Sequence, residues 1–507
     1  MNFLNFLLGL APILWLIFGL IVLKMPTFKA AFGSLVISAI LAIFYWHLPV
    51  METATAALEG FLMALWPIIL VIIAAVFTYN LTVKTGGMDI IKQLISSVSN
   101  DKRIVVLLLA WCFGGFMEGM AGFGTAIAIP AGILVGMGFE PLFSCLVCLI
   151  ANGVPTPFGS IGIPTVTLAN LVSLENTTLS YWTSLQLGIF VIACPFLIVM
   201  AAGKGFKGLK GLVPLTFMSG LSFLVPMTII GKFVGAELAA VVGSVCSLAV
   251  TILMGSKLKT PPEFAMEVSD TKISVNEALK AASPFICIFV FLLLTSKLVA
   301  PINSFLSQFA TSTTIYSGAN PSTITFSWIN TPGVWIFLSA IIGGVIQKAS
   351  SEMYITTLKE TLVQMKGTII TMLSVLGCAK IMGYSGMISD IAAFAIGVTG
   401  SFYPIFAPWL GALGTFVTGS GTNSGVLFGA VQKQAADTLG SDPYWMVALN
   451  SLGVAAGKML SPQSIAIALS SVDGNGQDSK LLSKIMPYGI GFLAIMSILG
   501  YVGFLVL

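Results

Sequence analysis

Gly114-Gly115-Phe116-Met117-Glu118-Gly119-Met120-Ala121-Gly122-Phe123-Gly124 sets glycines and one carboxylate inside an otherwise apolar run. It is followed by Asn152-Gly153-Val154-Pro155-Thr156-Pro157-Phe158-Gly159-Ser160-Ile161-Gly162-Ile163-Pro164. A second pair comes later: Thr418-Gly419-Ser420-Gly421-Thr422-Asn423-Ser424-Gly425, then Gly457-Lys458-Met459-Leu460-Ser461-Pro462-Gln463-Ser464. Glycine and proline at this density interrupt the i→i−4 ladder of a helix. At membrane depth, such backbone is tolerated only where it is buried in protein or lines a wet cavity. The four stretches therefore predict a membrane bundle whose centre is built from broken segments.

The rest of the chain supplies the membrane. Of its 507 residues, 57% are hydrophobic and 8% charged, with a mean hydropathy of +1.01. That is too few charges for a water-exposed surface. Phe61–Thr78, Leu185–Ala202 and Phe285–Leu294 with their flanks lack charges over bilayer-scale lengths. Only helices satisfy their own backbone in hydrocarbon at this composition. The expectation is an all-α integral membrane protein with about twelve transmembrane helices plus broken or re-entrant segments. Met1–Leu23 has no basic n-region and reads as a first spanning helix, not a cleaved signal peptide. A net charge of +4 is spread with no nucleic-acid patch. The cysteines lie in apolar stretches, and Cys145 and Cys148 read as small buried helix residues before redox or metal ligands. No cofactor and no metal is expected, and the sequence sets no oligomeric state.

Basic residues cluster in alternate loops. They fall at Lys24 and Lys29, at Lys84–Arg103, at Lys204–Lys210, at Lys257–Lys280, at Lys348–Lys366, and at Lys480 and Lys484. Residues 301–330 and 384–403 contain no Lys or Arg. The positive-inside rule makes the basic loops cytoplasmic and puts both termini outside, with Lys232 and Lys297 as exceptions. Landmarks recur roughly 300 residues apart: Thr85-Gly86 with Ser385-Gly386, Phe116 and Gly119 with Phe416 and Gly419, and Glu140-Pro141 with Asp442-Pro443. Asn152, Gly159 and Pro164 match Asn450, Gly457 and Pro462 at identical intervals. The basic loop after Lys84 has an uncharged counterpart after Tyr384, so equivalent loops lie on opposite sides and the two repeats are inverted in topology. We divide the chain into a first half (1–255), a cytoplasmic linker (256–280) and a second half (281–507).

The broken segments are the candidate site. Half-helix N-termini offer unpaired N–H groups and a positive dipole end to an anion. Thr418, Ser420, Thr422, Asn423, Ser461 and Ser464 can hydrogen-bond a carboxylate or hydroxyl. Ser160, Gly119, Gly122 and Gly124 supply the matching element of the first half. Small residues that only let helices approach are the competing reading; two matched clusters with Ser, Thr and Asn favour a site. Burial disfavours the charged form of Glu118, which suits a residue that takes up and releases a proton. A structural Glu paired with backbone or Lys is its alternative. Lys458 either pairs with a substrate carboxylate, pairs with Glu118, or caps a half-helix. Lys380 stands nearer a segment end, where snorkelling explains it. Lys433 and Asp437 read as a helical ion pair in a polar cavity, and His47 as an interfacial anchor beside Trp46 and Tyr45. There is no metal-ligand spacing, nucleophile elbow or P-loop, so neither an enzyme nor an ATP-driven pump is indicated.

These motifs resemble the bacterial lactate permease family. The likeness runs through Ala75–Asp89, Phe116–Gly124, Phe158–Pro164, Tyr384–Gly386, Thr418–Ser420, Gly425–Gln432 and Gly457–Ala466. The resemblance implies a bacterial cytoplasmic-membrane symporter of L-lactate, glycolate and related 2-hydroxy monocarboxylates with protons. It also implies kinship with ion transporters that have inverted repeats, re-entrant hairpins and an elevator-like movement. The chain departs from the family pattern where Gly421 replaces an Asp, Asn423 a Ser and Gly425 an Asn. Ala126 replaces a common Pro, and Lys380 an apolar or aromatic residue. A sodium-coupled carrier of another small organic anion, or a passive anion channel, are the rival readings.

Overall fold

Proline and glycine set where the helices of this chain start, bend and stop. The computed structural model describes residues 3–23, 25–122, 124–266, 273–296, 298–319, 321, 323–472, 474 and 477–506. Lys24, Phe123, Lys297 and residues 267–272 of the expected linker lie outside them. The chain opens with α1 (Phe3–Ile21) and α2 (Thr27–Phe44), which pack together. Next, α3 (Val50–Met63) runs into α4 (Leu70–Lys84) through a wide turn. There Trp66 is extended (φ −136°, ψ 118°) ahead of Pro67, the conformation a following proline imposes. Left-handed Gly86 ends that span and starts the short α5 (Gly87–Ser96).

Then α6 (Lys102–Val106) continues through a wide helical stretch into α7 (Gly114–Met120), and α8 (Thr125–Gly136) follows after left-handed Gly122 and Gly124. The first half closes with α9 (Pro141–Gly153), α10 (Gly159–Leu171) and α11 (Asn176–Ala202), followed by α12 (Val213–Phe233) and α13 (Ala236–Gly255).

After the linker come α14 (Val275–Thr295) and α15 (Ala300–Ser307). A β-hairpin of β1 (Ala310–Thr314) and β2 (Thr323–Ser327) pairs antiparallel with Ala310 opposite Ser327. The remaining elements are α16 (Pro332–Ile346), α17 (Ser351–Ser385), α18 (Met387–Thr399), α19 (Tyr403–Thr418), α20 (Gly421–Leu439), α21 (Pro443–Leu460), α22 (Pro462–Ser470) and α23 (Asp478–Val506).

Among the described residues, 11 helices are long and apolar enough to span a membrane, or 13 if each of two bent pairs counts as one. The bent pairs are α9–α10, turned by 61°, and α21–α22, turned by 44°. The helical membrane fold is as expected, with three differences. The hairpin is additional, and its Thr-rich, β-branched strands suit a pleated, half-exposed ribbon. The expected linker ends early, because Ser274 and Glu277 form a capping box that starts α14 at Val275. Arg103, counted with the basic loop, is buried: it pairs with Asp101 at 2.7 Å and donates to the Gly208 and Lys210 carbonyls.

The order of elements recurs. The 35-residue span α3–α4 matches the 35-residue α17. Gly86 and Gly386 are both left-handed joints, leading into α5 and α18. Then α6–α7, α8, α9–α10 and α11 are followed in kind by α19, α20, α21–α22 and α23. Packing regroups these elements into two bodies. One holds α1–α5 and α14–α18; the other holds α6–α13 and α19–α23. They meet mainly where α17 and α18 touch α20, α4 touches α10, and α1 touches α19.

Inside the second body, α19 and α21 are nearly in backbone contact. A Cβ on Gly453 would fall 1.8 Å from the Pro408 carbonyl oxygen, and one on Gly457 2.3 Å from that of Ala412. Small residues are what permits this approach in a bilayer. Gly453→Ala is expected to cost about 1–3 kcal/mol by overpacking, read as a lower melting temperature of the purified protein in detergent.

Candidate functional site

The four broken stretches converge on one cavity of about 280 Å³ at the seam between the bodies. The second body contributes Glu118, the turn around Gly159–Pro164, the tip Thr418–Asn423, Lys458 and Gln463. The first body contributes Thr27 and Phe28 of α2, Ile72 of α4, and one face of α17.

Each group is held for a local reason. Glu118, on the last turn of α7, accepts a hydrogen bond from Asn152 Nδ2 at 2.7 Å, and Thr156 donates back to the Asn152 carbonyl at 2.7 Å. A Cβ on Gly159 would sit 2.4 Å from Glu118 Oε1, so glycine leaves the carboxylate its space. After Gly159 the chain makes a left-handed turn through Ser160 (φ 47°), Ile161 (φ 57°) and Gly162 (φ 72°). A β-branched residue in that region is rare, and such positions cost of order 1–3 kcal/mol each and cluster at functional sites. Ser160 is fixed there by donating to the Ala121 carbonyl at 2.9 Å, which ties this turn to the α7–α8 tip.

The other tip is built differently. Thr418 ends α19 by donating to the Gly414 carbonyl at 2.7 Å, and Gly419 turns left-handed (φ 67°). Ser420 caps α20 by accepting from the Asn423 backbone N–H at 3.3 Å. The first turn of α20, with Gly421 and Thr422, thus presents its N-terminal end to the cavity. Asn423 is 4% exposed and lines the cavity, and its Oδ1 has no partner. An orphaned buried acceptor costs about 1–3 kcal/mol unless something fills the place beside it. Lys458 is buried near the end of α21 and donates to the Gly419 carbonyl at 2.9 Å. Of the readings open to it, the half-helix cap is the contact present, and the ammonium shares the cavity with Glu118.

Glu118, Ser160, Thr418, Ser420, Thr422, Asn423 and Lys458 therefore come together. The other expected residues stand behind the lining. Gly119 packs on Val241 and Ala240 of α13; Gly122 lies against Ser160, and Gly124 against Ile467. Ser461 and Ser464 are buried with unpartnered hydroxyls, but they do not border the cavity. The matched triplet also bends at different points, at Ser160–Gly162 in the first half and at Ser461 in the second. Lys433 and Asp437 form the expected i, i+4 ion pair at 3.2 Å, both partly exposed on α20. Sequence reasoning missed Asn152 as the holder of Glu118. It also missed Gln364, Thr368 and Thr371, whose spacing i, i+4, i+7 puts them on one face of α17 along the cavity wall.

A model of the family described as L-lactate permease matches residues 5–507. An L-lactate permease of Streptococcus iniae is 45% identical, covering 87% of this chain and 93% of its own. The L-lactate permease and the glycolate permease GlcA of Escherichia coli (strain K12) are each 32% identical, covering 98% of this chain and 95% of theirs. Among solved structures, the Alcanivorax borkumensis YdaH transporter is similar with a TM-score of 0.47 and 17% identity, covering 88% of this chain and 86% of its own. With a family match over nearly its whole length and these relatives, the chain belongs to the L-lactate permease family.

Proposed function

We propose that this protein is a proton-coupled symporter of L-lactate and related 2-hydroxy monocarboxylates such as glycolate in the bacterial cytoplasmic membrane. The observation that carries this reading is the seam cavity. There a buried carboxylate, a buried ammonium and a helix N-terminus border one space between two bodies. The α20 N-terminus and Lys458 hold the anion's carboxylate, the amide of Asn423 and the hydroxyls of Thr422 and Ser160 read its 2-hydroxyl, and Glu118 carries the proton. Every residue assigned to chemistry except the α2, α4 and α17 wall belongs to the second body. A shift of that body against the first would therefore carry anion and proton together from one side to the other. The recurring order of elements supports two inverted repeats interleaved across the bodies, with residues 256–274 linking them.

The test is uptake of labelled L-lactate into proteoliposomes under an imposed pH gradient. Accumulation driven by an inward proton gradient, with glycolate competing, is the expected result. Uptake that follows a sodium gradient and ignores the proton gradient would overturn the coupling. Flux that never exceeds equilibration would make the protein a passive pore.

A further inference from the structure

Most of the first body's wall of the central cavity comes from α17, and Gln364, Thr368 and Thr371 form a polar stripe along it. The helix is fixed to its own body near both ends. Lys84 of α4 pairs with Glu360 at 2.7 Å, and Lys380 pairs with Glu59 of α3 at 2.8 Å instead of snorkelling. Lys84 and the run Lys348–Lys366 belong to the basic clusters, so the charge rule puts the Glu360 end on the cytoplasmic side. Gln364 stands one helical turn deeper than Glu360.

The stripe is held ready for a ligand. Asn80 Nδ2 donates to Gln364 Oε1 and to Thr361 Oγ1, each at 3.0 Å. With its oxygen engaged, the Gln364 amide offers the N–H donors of Nε2 to the cavity it lines. Thr371 donates to the Gly367 carbonyl at 2.9 Å, within its own helix. Thr368 stands between them, four residues after Gln364 and three before Thr371. Continued outward at the same spacing, the stripe becomes Val375, Cys378 and Met382, all buried. It is therefore polar on its cytoplasmic stretch and apolar beyond it. The charged groups of the lining, Glu118 and Lys458, both stand on the second body. At about 280 Å³ the cavity is at the small end of ligand pockets, so a 2-hydroxy acid inside it meets both walls.

We propose that Gln364 and Thr368 are specificity-determining residues that touch the substrate on the cytoplasmic side alone. The proposal rests on the 2-hydroxy monocarboxylate reading given above. Gln364 Nε2 donates to a carboxylate oxygen and the Thr368 hydroxyl meets the 2-hydroxyl, while Lys458 holds the anion from the other wall. When the second body shifts outward, Glu118, Lys458 and the α20 tip leave this stretch of α17 for its apolar continuation. The anion then keeps its partners on the second body and loses those on the first. Affinity and the reading of the 2-hydroxyl are thus greater at the inner face than at the outer one.

The test measures KM for L-lactate from each face, with right-side-out membrane vesicles for the outer face and inside-out vesicles for the cytoplasmic one. Gln364 is exposed and Thr368 half-buried, so neither substitution opens the core. Gln364→Leu and Thr368→Val should each raise the ratio of inner to outer KM about threefold to tenfold, the worth of one hydrogen bond. Thr368→Ser keeps the hydroxyl and should restore the parental ratio. Asn80→Leu frees the Gln364 amide to rotate and should raise the ratio part of the way. Lys458→Met acts at both faces and should leave the ratio where it was. Propionate, which lacks the 2-hydroxyl, should compete with L-lactate about threefold better at the inner face of Thr368→Val than of the parent. A parental ratio in both Gln364→Leu and Thr368→Val overturns the proposal, even if KM rises at both faces together. A parent protein that takes up no 2-hydroxy acid overturns the proposed function as well, whereas parental uptake with an unmoved ratio overturns this inference alone.

Discussion

Glu118→Gln is expected to abolish uphill accumulation of L-lactate while leaving exchange of internal for external lactate intact. The amide keeps an acceptor for Asn152 Nδ2, now 2.7 Å from the carboxylate, and fills the same space beside Gly159. What it loses is the capacity to gain and release a proton. With one proton per anion, a gradient of one pH unit is worth about 1.4 kcal/mol, or roughly tenfold accumulation. The variant should stay near equilibration under that gradient. Exchange needs only that the loaded site move and reload, so it should persist within about threefold. Accumulation equal to that of the parent would show that the proton travels on another group. Loss of exchange as well would assign Glu118 to anion binding.

The sequence made the centre of the fold legible because backbone breaks are local. Gly86 and Gly386 end helices by needing a positive φ, and both do so here. The Ser274-x-x-Glu277 capping box was equally readable as the start of α14 at Val275. Residues that matter through distant packing were not legible. Glu59 is a single acid in a long apolar run, and nothing near it in sequence announces Lys380, 321 positions away. Gln364, Thr368 and Thr371 repeat at helical spacing, which marks a polar face, but only the tertiary arrangement shows that it walls the cavity. Gly119 misled for the same reason: one glycine cluster supplies both a tip and a packing surface, and only the neighbour, here Val241, separates the two.

Elements that recur in the same order fall in the same body: α3–α5 with α17–α18, and α6–α11 with α19–α23. Gly122, Gly124 and Gly419 belong to the same body as Glu118 and Lys458. In the movement proposed above, the lining groups of that body keep their relation to one another, and the α2, α4 and α17 wall is what changes against them.

Lys458→Met should weaken substrate binding more than any other single change at the site. Lys458 is 6% exposed, its ammonium caps the Gly419 carbonyl, and it is the one cation lining the central cavity among the described residues. Truncating one partner of a buried, hydrogen-bonded charge contact costs about 2–5 kcal/mol, so KM for L-lactate should rise at least about thirtyfold. Methionine keeps the length and packing of the stem, and a melting curve in detergent checks that the fold survives. Two causes of the loss are separable by a double-mutant cycle. If Lys458 only balances Glu118, the neutral pair Glu118→Gln/Lys458→Met recovers exchange with near-parental KM. If Lys458 holds the substrate carboxylate, the double variant binds as poorly as Lys458→Met alone. The α20 N-terminus by itself supplies about half a charge, too little to replace an ammonium in a buried site. The second outcome is expected, and recovery in the double variant would move the anion's anchor from Lys458 to the tip.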